Sequence, residues 1–201
     1  MTKNRLEAFS DGVFAIVITL LILNIKLPSV PASQLLSALL RIWPNLLAFV
    51  LSFLIVGVYW VAHHQMYQFI RRVDRNLLWL NNISLLLIAF LPFPTELLGS
   101  YPTSRVAIVL YGACLILINS SGTLVWLYAT GRHRLVDPEL PRGFIRLIAW
   151  IHISPAIAYA AALALSLFDP RIPMVVFFLV PLFFILPNPW LNRHVQMVRE
   201  R

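Results

Sequence analysis

The sequence predicts an all-α integral membrane protein with six transmembrane helices per chain and both termini in the cytoplasm. Three observations carry this reading. Of the 201 residues 60% are hydrophobic, about 121 side chains, and six spanning helices of roughly 20 residues each need about 120. Charged residues make up only 12%, where soluble domains carry about 25%, and the mean hydropathy is +0.81. The charges also cut the chain into apolar windows and gather, by sign, on one side of them. Together these exclude a water-soluble enzyme, a disordered chain and a nucleic-acid-binding domain of ordinary composition, because the net charge of +8 comes from short basic clusters between apolar runs. The single cysteine, Cys114, excludes an intrachain disulfide, a CxxC pair and a cysteine zinc site.

The charge-free windows are 12–25, 42–70, 76–95, 106–131, 147–168 and 172–192. The first holds only 14 residues, about 21 Å of helix against a hydrocarbon core of about 30 Å. The first helix, expected over 5–27 and ending before Pro28, must therefore take in Asp11 and Glu7 at or inside the membrane boundary. A carboxylate there is expensive unless it is paired or hydrated. Those acids, and the lack of a small-residue cleavage site, mark the segment as retained rather than as a signal peptide. The second helix is expected over 36–70, and the third over 76–99 with Pro92 and Pro94 kinking or ending its outer part. The fourth, fifth and sixth are expected over 104–131, 143–168 and 172–186. An interfacial cytoplasmic tail, 188–201, follows Pro187, with Trp190 at headgroup level. With the N-terminus inside, Lys3, Arg5, Arg71, Arg72, Arg75, Arg132, Arg134, Arg142, Arg146, Arg193, Arg199 and Arg201 share the cytoplasmic side, and only Lys26, Arg41, Arg105 and Arg171 lie opposite. Short connections and the lack of a repeat between halves make residues 1–201 one membrane domain.

Polar residues inside apolar windows are the candidates for function. Trp60 and His64, four apart, share a helix face, whereas His63 and His64 point about 100° apart and cannot chelate one ion together. No further ligand set accompanies them, so a buried hydrogen-bonding role is favoured over metal binding. Asn81 and Asn82 open the third window on the same side as His64 and Asp11, so one polar layer can join the first three helices. The run Asn119-Ser120-Ser121-Gly122-Thr123 admits either a substrate site or close helix packing, and packing is the commoner use of such residues. Catalysis finds little support: no GxSxG elbow is present, and Glu7 and Asp11, one turn apart, have no nucleophile or metal ligand beside them.

Above Asp11, Ile16, Thr19, Leu20 and Leu23 follow the i, i+3, i+4, i+7 rule and form one stripe. Such a stripe is most often a packing face. Its place above an acidic helix start, in a chain with no other polar path, admits a second reading. Several copies arranged by rotational symmetry turn single side chains into rings around a hole.

The run Arg5-Leu6-Glu7-Ala8-Phe9-Ser10-Asp11 resembles the Arg-x-x-x-Phe-Ser-Asp signature on the first helix of the transmembrane protein 175 family, whose animal members are endosomal and lysosomal potassium channels. Trp60 with His63-His64, Leu80-Asn81 and Leu91-Pro92-Phe93-Pro94-Thr95 reinforce the resemblance; the last three helices match mainly in hydropathy and length. With one signature, the chain is similar to the one-repeat prokaryotic type that assembles as a tetramer, rather than to the two-repeat animal type that assembles as a dimer. The resemblance implies a potassium-permeable cation channel in a prokaryotic plasma membrane, with four first helices around a central pore. By position, Ile16 would be the narrow constriction, with Thr19, Leu20 and Leu23 lining further layers. Arg5, Phe9, Ser10, Asp11, Trp60, His63, His64 and Asn81 would form the signature and an inter-helix polar lock. It implies a homo-oligomer in a lipid bilayer, permeant potassium ions in place of any cofactor or bound metal, no nucleic acid, no soluble substrate and no enzymatic activity. No Thr-Val-Gly-Tyr-Gly filter is present, so an aliphatic ring that strips part of the hydration shell and closes by dewetting takes the place of a carbonyl cage. An ion- or proton-coupled secondary transporter, with a substrate site at broken helices, is the alternative.

Overall fold

The computed structural model describes residues 2–26, 29–169 and 171–186. Among them every regular element is helical, apart from one isolated antiparallel bridge between Ile70 and Val136. The helices are α1 (Lys3–Leu20), α2 (Leu35–Arg41), α3 (Trp43–Phe69), α4 (Arg75–Phe90), α5 (Pro92–Ser100), α6 (Arg105–Thr130), α7 (Arg142–Leu165) and α8 (Ile172–Ile185). Short 3₁₀ turns extend α1 through Leu21–Asn24 and α6 through Gly131–His133. Five continuous stretches are long and apolar enough to cross a membrane: Lys3–Asn24, Trp43–Phe69, Arg75–Ser100, Arg105–His133 and Arg142–Leu165. The 14-residue α8 is about 21 Å long and, within the described residues, shorter than the roughly 30 Å core. The expected end of the first helix at Leu27 and Pro28, and the expected tail 188–201 with Trp190, lie outside the described residues.

Proline explains where the helices break. The sequence reading runs one helix over 36–70, but the structure interrupts it at Ile42 (φ −87°, ψ 4°), between α2 and α3. Pro44 has no N–H to return to the carbonyl of Leu40 and also restricts the residue before it. The backbone turns there on tighter bonds, Ile42 N to Leu39 O at 3.2 Å and Asn45 N to Ile42 O at 3.0 Å. Leu91 marks the junction of α4 and α5, where Pro92 and Pro94 withdraw two donors. Three groups repair it: Leu91 N donates to Ile88 O at 3.1 Å, Thr95 Oγ1 donates to Leu91 O at 2.8 Å, and Asn24 Nδ2 donates to Pro92 O at 3.0 Å. In α7, Pro155 leaves the Ile151 carbonyl without its amide partner, and the Ser154 hydroxyl donates to it at 3.2 Å.

The helices pack around α6, which touches α4, α5, α7 and α8, while α1 lies to one side against α3 and α4. In a bilayer, lipid is as apolar as leucine, so close packing and hydrogen bonds decide which helices associate. Small residues set the distances. A Cβ on Gly99 would sit 2.8 Å from the Asn45 Cα, and one on Gly112 would sit 2.9 Å from a Leu163 methyl and 3.0 Å from the Phe177 ring. Buried hydroxyls tie α3, α5 and α6 together, with Ser52 Oγ 2.8 Å from Thr95 Oγ1 and 2.9 Å from the Tyr111 hydroxyl.

At the arginine-rich end, two connections are stapled to each other. The Arg71 and Arg72 amides both donate to Leu135 O, at 2.8 and 3.2 Å, and Arg71 pairs with Asp137. Asp74 caps α4 by accepting from the Leu77 amide at 2.8 Å. Its second carboxylate oxygen accepts from the Tyr128 hydroxyl at 2.7 Å and lies 3.5 Å from Arg134 Nε. Desolvation alone would raise the Asp74 carboxyl, but the Leu77 amide, the Tyr128 hydroxyl and the Arg134 guanidinium outweigh it and hold it below the usual carboxylate value.

Candidate functional site

Helix α1 has two faces. Leu6, Ser10, Phe14, Val17 and Leu21 are buried, spaced three and four apart, against α3 and α4. The opposite sector is exposed: Ile16 is 58% exposed, Leu20 43% and Leu23 70%, with Thr19 exposed between them. At 100° per residue, Arg5, Gly12, Ile16 and Thr19 fall within roughly 60° of one another, on the opposite half of the helix from Ser10. The Thr19 hydroxyl turns back to the helix, donating to Ile16 O at 2.8 Å and Ala15 O at 3.1 Å. Thr19 is thus the one polar side chain on the stripe, with its proton spent and its oxygen lone pairs open to a solute.

On the buried face, Asn81 of α4 is the hub. Its Nδ2 donates to Ser10 Oγ at 3.1 Å, and its Oδ1 accepts from the Tyr67 hydroxyl at 3.0 Å and from His63 Nε2 at 3.0 Å. The Ser10 hydroxyl passes its own proton to Leu6 O at 2.9 Å. Ser10 and Asn81 are 0% and 1% exposed, so each unmade bond would cost a desolvated polar group. The His63 ring is fixed on both sides, stacked on Tyr67 at 4.3 Å between centroids and meeting the edge of Phe14 at 5.5 Å. At the rim of the same helix contact, Trp60 Nε1 donates to Asp11 Oδ1 at 2.9 Å, and Trp60 stacks on His64 at 6.3 Å.

The candidate residues thus separate into groups. Ser10, His63 and Asn81 meet in one buried network, and Asp11, Trp60 and His64 form a second, exposed one beside it. His64 is held by the Gln68 amide, 3.1 Å away, rather than by Asn81. Arg5 and Phe9 belong to neither: both lie on the exposed face of α1, and among the described residues the ion pairs are Lys3–Glu7, Arg71–Asp137 and Arg134–Asp74. Glu7 is thus partnered within its own helix turn, at 3.9 Å. The Asn119 to Thr123 run is engaged locally, with Ser121 and Thr123 donating to carbonyls of their own helix and Asn119 donating to the Tyr59 hydroxyl at 2.7 Å. Among the described residues no three His, Cys, Asp or Glu side chains come together as a metal set.

The sequence profile of the endosomal/lysosomal potassium channel TMEM175 family matches residues 5–92, the stretch that supplies α1, α3, α4 and both networks. A potassium channel of Chamaesiphon minutus is 37% identical over 188 residues, covering 90% of this chain and 93% of its own. The chain belongs to the TMEM175 family. A potassium channel of Streptomyces collinus is 41% identical over 143 residues, 69% of each chain. The crystal structure of a lysosomal potassium-selective TMEM175 homologue from Chamaesiphon minutus superposes with a TM-score of 0.79 at 36% identity, covering 90% of this chain and 95% of that one. Family and fold place the chain among integral membrane ion channels and not among enzymes.

Two residues of these networks escaped the sequence reading. Tyr67 shares the acceptor on Asn81, and its position four residues after His63, on the same face, is the signal that marks it. Phe14 buttresses His63 from α1, and its spacing of four from Ser10 places it on the buried face.

Proposed function

We propose that the chain is a potassium-permeable cation channel in which four copies present the exposed face of α1 to a shared axis. Ile16 forms the narrowest ring, and Thr19, Leu20 and Leu23 line further layers. What carries this reading is the two-faced α1: a span packed on its own subunit by Leu6, Ser10, Phe14, Val17 and Leu21, with an uncovered aliphatic stripe on the other side. An aliphatic ring offers an ion no oxygen to replace its hydration shell. It discriminates by how readily that shell is stripped, which favours potassium over the more tightly hydrated sodium, and it closes by dewetting. Thr19 is the one polar side chain on the stripe; its proton goes to the Ile16 and Ala15 carbonyls and its oxygen is the only side-chain ligand offered, so discrimination among cations is modest.

In this account Asn81 with Ser10 and His63, and Asp11 with Trp60 and His64, lock α1 to its neighbours and set the ring diameter without touching the ion. Arg5 and Phe9 lie on the axis-facing side at the arginine-rich mouth. The chain acts as one domain of six spans, with both termini in the cytoplasm of a prokaryotic cell, as the distribution of arginines favours.

Potassium flux into liposomes holding purified protein tests the reading. Ile16→Asn, which wets the ring, is expected to raise flux and weaken potassium preference. Flux that Ile16→Asn leaves unchanged, while substitution of Leu117 on the far side of α6 alters it, would overturn the assignment of the constriction.

A further inference from the structure

Behind the α1 stripe, a cavity of about 820 Å³ lies between α3, α4, α6, α7 and α8, with Phe14 on the buried face of α1 closing one side. Its size falls within the roughly 300–1,000 Å³ of ligand-binding cavities. Two glycines keep it open: a Cβ on Gly57 would meet nothing within 4 Å, and one on Gly122 would meet only His152 Nδ1, at 3.9 Å. Phe53, Val61 and Ile185 stand on its rim and are 43%, 44% and 48% exposed, so it is reached from the outer surface of the bundle.

Among the described residues the lining is mostly apolar and contains no Asp, Glu, Lys or Arg. An ion or a charged headgroup would find no countercharge there. Water alone does not suit it either, since an ordered water needs two to four polar partners and most of this wall offers none. Of its polar groups, His63, Asn81 and Ser84 are engaged in hydrogen bonds of their own, whereas Tyr59 and His152 are only partly used. The Tyr59 hydroxyl accepts from Asn119 at 2.7 Å, and among the described residues nothing takes its proton. His152 lines the same space and makes no hydrogen bond among the described residues, although an imidazole always has both nitrogens to satisfy. Asn119 and Gly122 are three apart on one face of α6, so Tyr59 and His152 flank a single helical turn.

We propose that this cavity binds an uncharged single-chain amphiphile drawn from the bilayer. Its hydroxyl or carbonyl head pairs with Tyr59 and His152, and its apolar body lies toward Pro181 and Phe184 of α8. An unspent donor beside an unspent imidazole suits a head that both accepts and donates, and the uncharged wall selects against an ionised one.

The test uses the full chain in phosphatidylcholine nanodiscs with a monoacylglycerol carrying a photoreactive diazirine on its acyl chain, and mass spectrometry to map the labelled residues. Labelling of 53–66, 148–159 and 180–186 is expected to saturate and to be displaced by unlabelled monoacylglycerol. Loss of one hydrogen bond in His152→Phe, which keeps the ring volume, should weaken displacement about two- to tenfold. Gly122→Leu should abolish labelling by filling the space. Should that variant fail to fold, Gly122→Ala, whose added carbon has 3.9 Å of clearance, should still reduce it. The matching diazirine fatty acid, ionised at neutral pH, should label these residues several-fold less. Labelling that does not saturate, that falls equally on the exposed Leu117 and Leu124 of α6, that survives both His152→Phe and the Gly122 variants, or that is as strong for the fatty acid would overturn the proposal. So would its complete absence, the result expected if residues 187–201 of the chain itself fill the cavity.

Discussion

Replacing Asn81 with alanine removes the hub through which α1, α3 and α4 meet, and the structure allows the cost to be worked out. Three hydrogen bonds are lost, to Ser10 Oγ, from the Tyr67 hydroxyl and from His63 Nε2, all between 3.0 and 3.1 Å. Hydrogen bonds between membrane helices average about 0.6 kcal/mol and reach about 1.7, so three give roughly 2–3 kcal/mol, with stranded Tyr67 and His63 donors pushing toward the upper end. Ser10→Ala should cost much less, about 1 kcal/mol, because it breaks one inter-helix bond and the Leu6 carbonyl keeps its helix partner. The double variant should fall short of the sum by roughly 0.5–1 kcal/mol, since Ser10 and Asn81 share one bond. Equilibrium unfolding in mixed micelles, followed by tryptophan fluorescence, measures all three. An Asn81→Ala penalty below about 0.5 kcal/mol, or strict additivity with Ser10→Ala, would refute the reasoning that this network fastens α1 to the bundle.

Further outcomes follow from the same contacts. Asp11→Ala leaves the Trp60 indole without its acceptor, so it should lower the fraction of intact oligomer, measured by mass in nanodiscs, more than it changes the potassium-to-sodium flux ratio; intact assembly with a changed ratio would reverse its role. Asp74→Ala loses the α4 cap and should cost about 1 kcal/mol at neutral pH. Because the folded carboxyl lies below its ordinary value, its contribution is complete above the unfolded pKa of about 3.9 and is lost as pH falls through the lower, folded value. The gap in melting temperature between parent and Asp74→Ala should therefore close in strong acid, and a gap that stays constant with pH would contradict the assignment.

Much of the fold was legible because a bilayer imposes few choices: long charge-free runs must be helices, and five of the runs are helices long and apolar enough to cross. The break at Ile42 was not read from those runs, since hydropathy sees no backbone, although Pro44 marks it. The resemblance put Ser10, Asp11, Trp60 and Asn81 in one polar layer, where the structure pairs Ser10 with Asn81 and Asp11 with Trp60. It did not separate the two histidines, because which of two adjacent side chains reaches Asn81 depends on how α3 is rotated against α4. Nor did it set Arg5 and Phe9 apart from Ser10, since sequence proximity hides that positions one or five apart on a helix point about 100° and 140° away from each other. Tyr67 and the Tyr59–Asn119 pair went unread because a tyrosine in an apolar run looks like packing until its hydroxyl finds a partner.

The claim on which the account rests is that Ile16 lines the path of the ion. Ile16→Cys in liposomes, challenged with a membrane-impermeant thiol reagent from the aqueous phase, tests it most directly, because the native Cys114 is buried and the parent serves as an unmodified control. Potassium flux through Ile16→Cys should fall on treatment, while Leu117→Cys and the parent keep theirs. Ile16→Cys that conducts as the parent does and is untouched by the reagent would mean that α1 turns this face to lipid and that another element lines the pore.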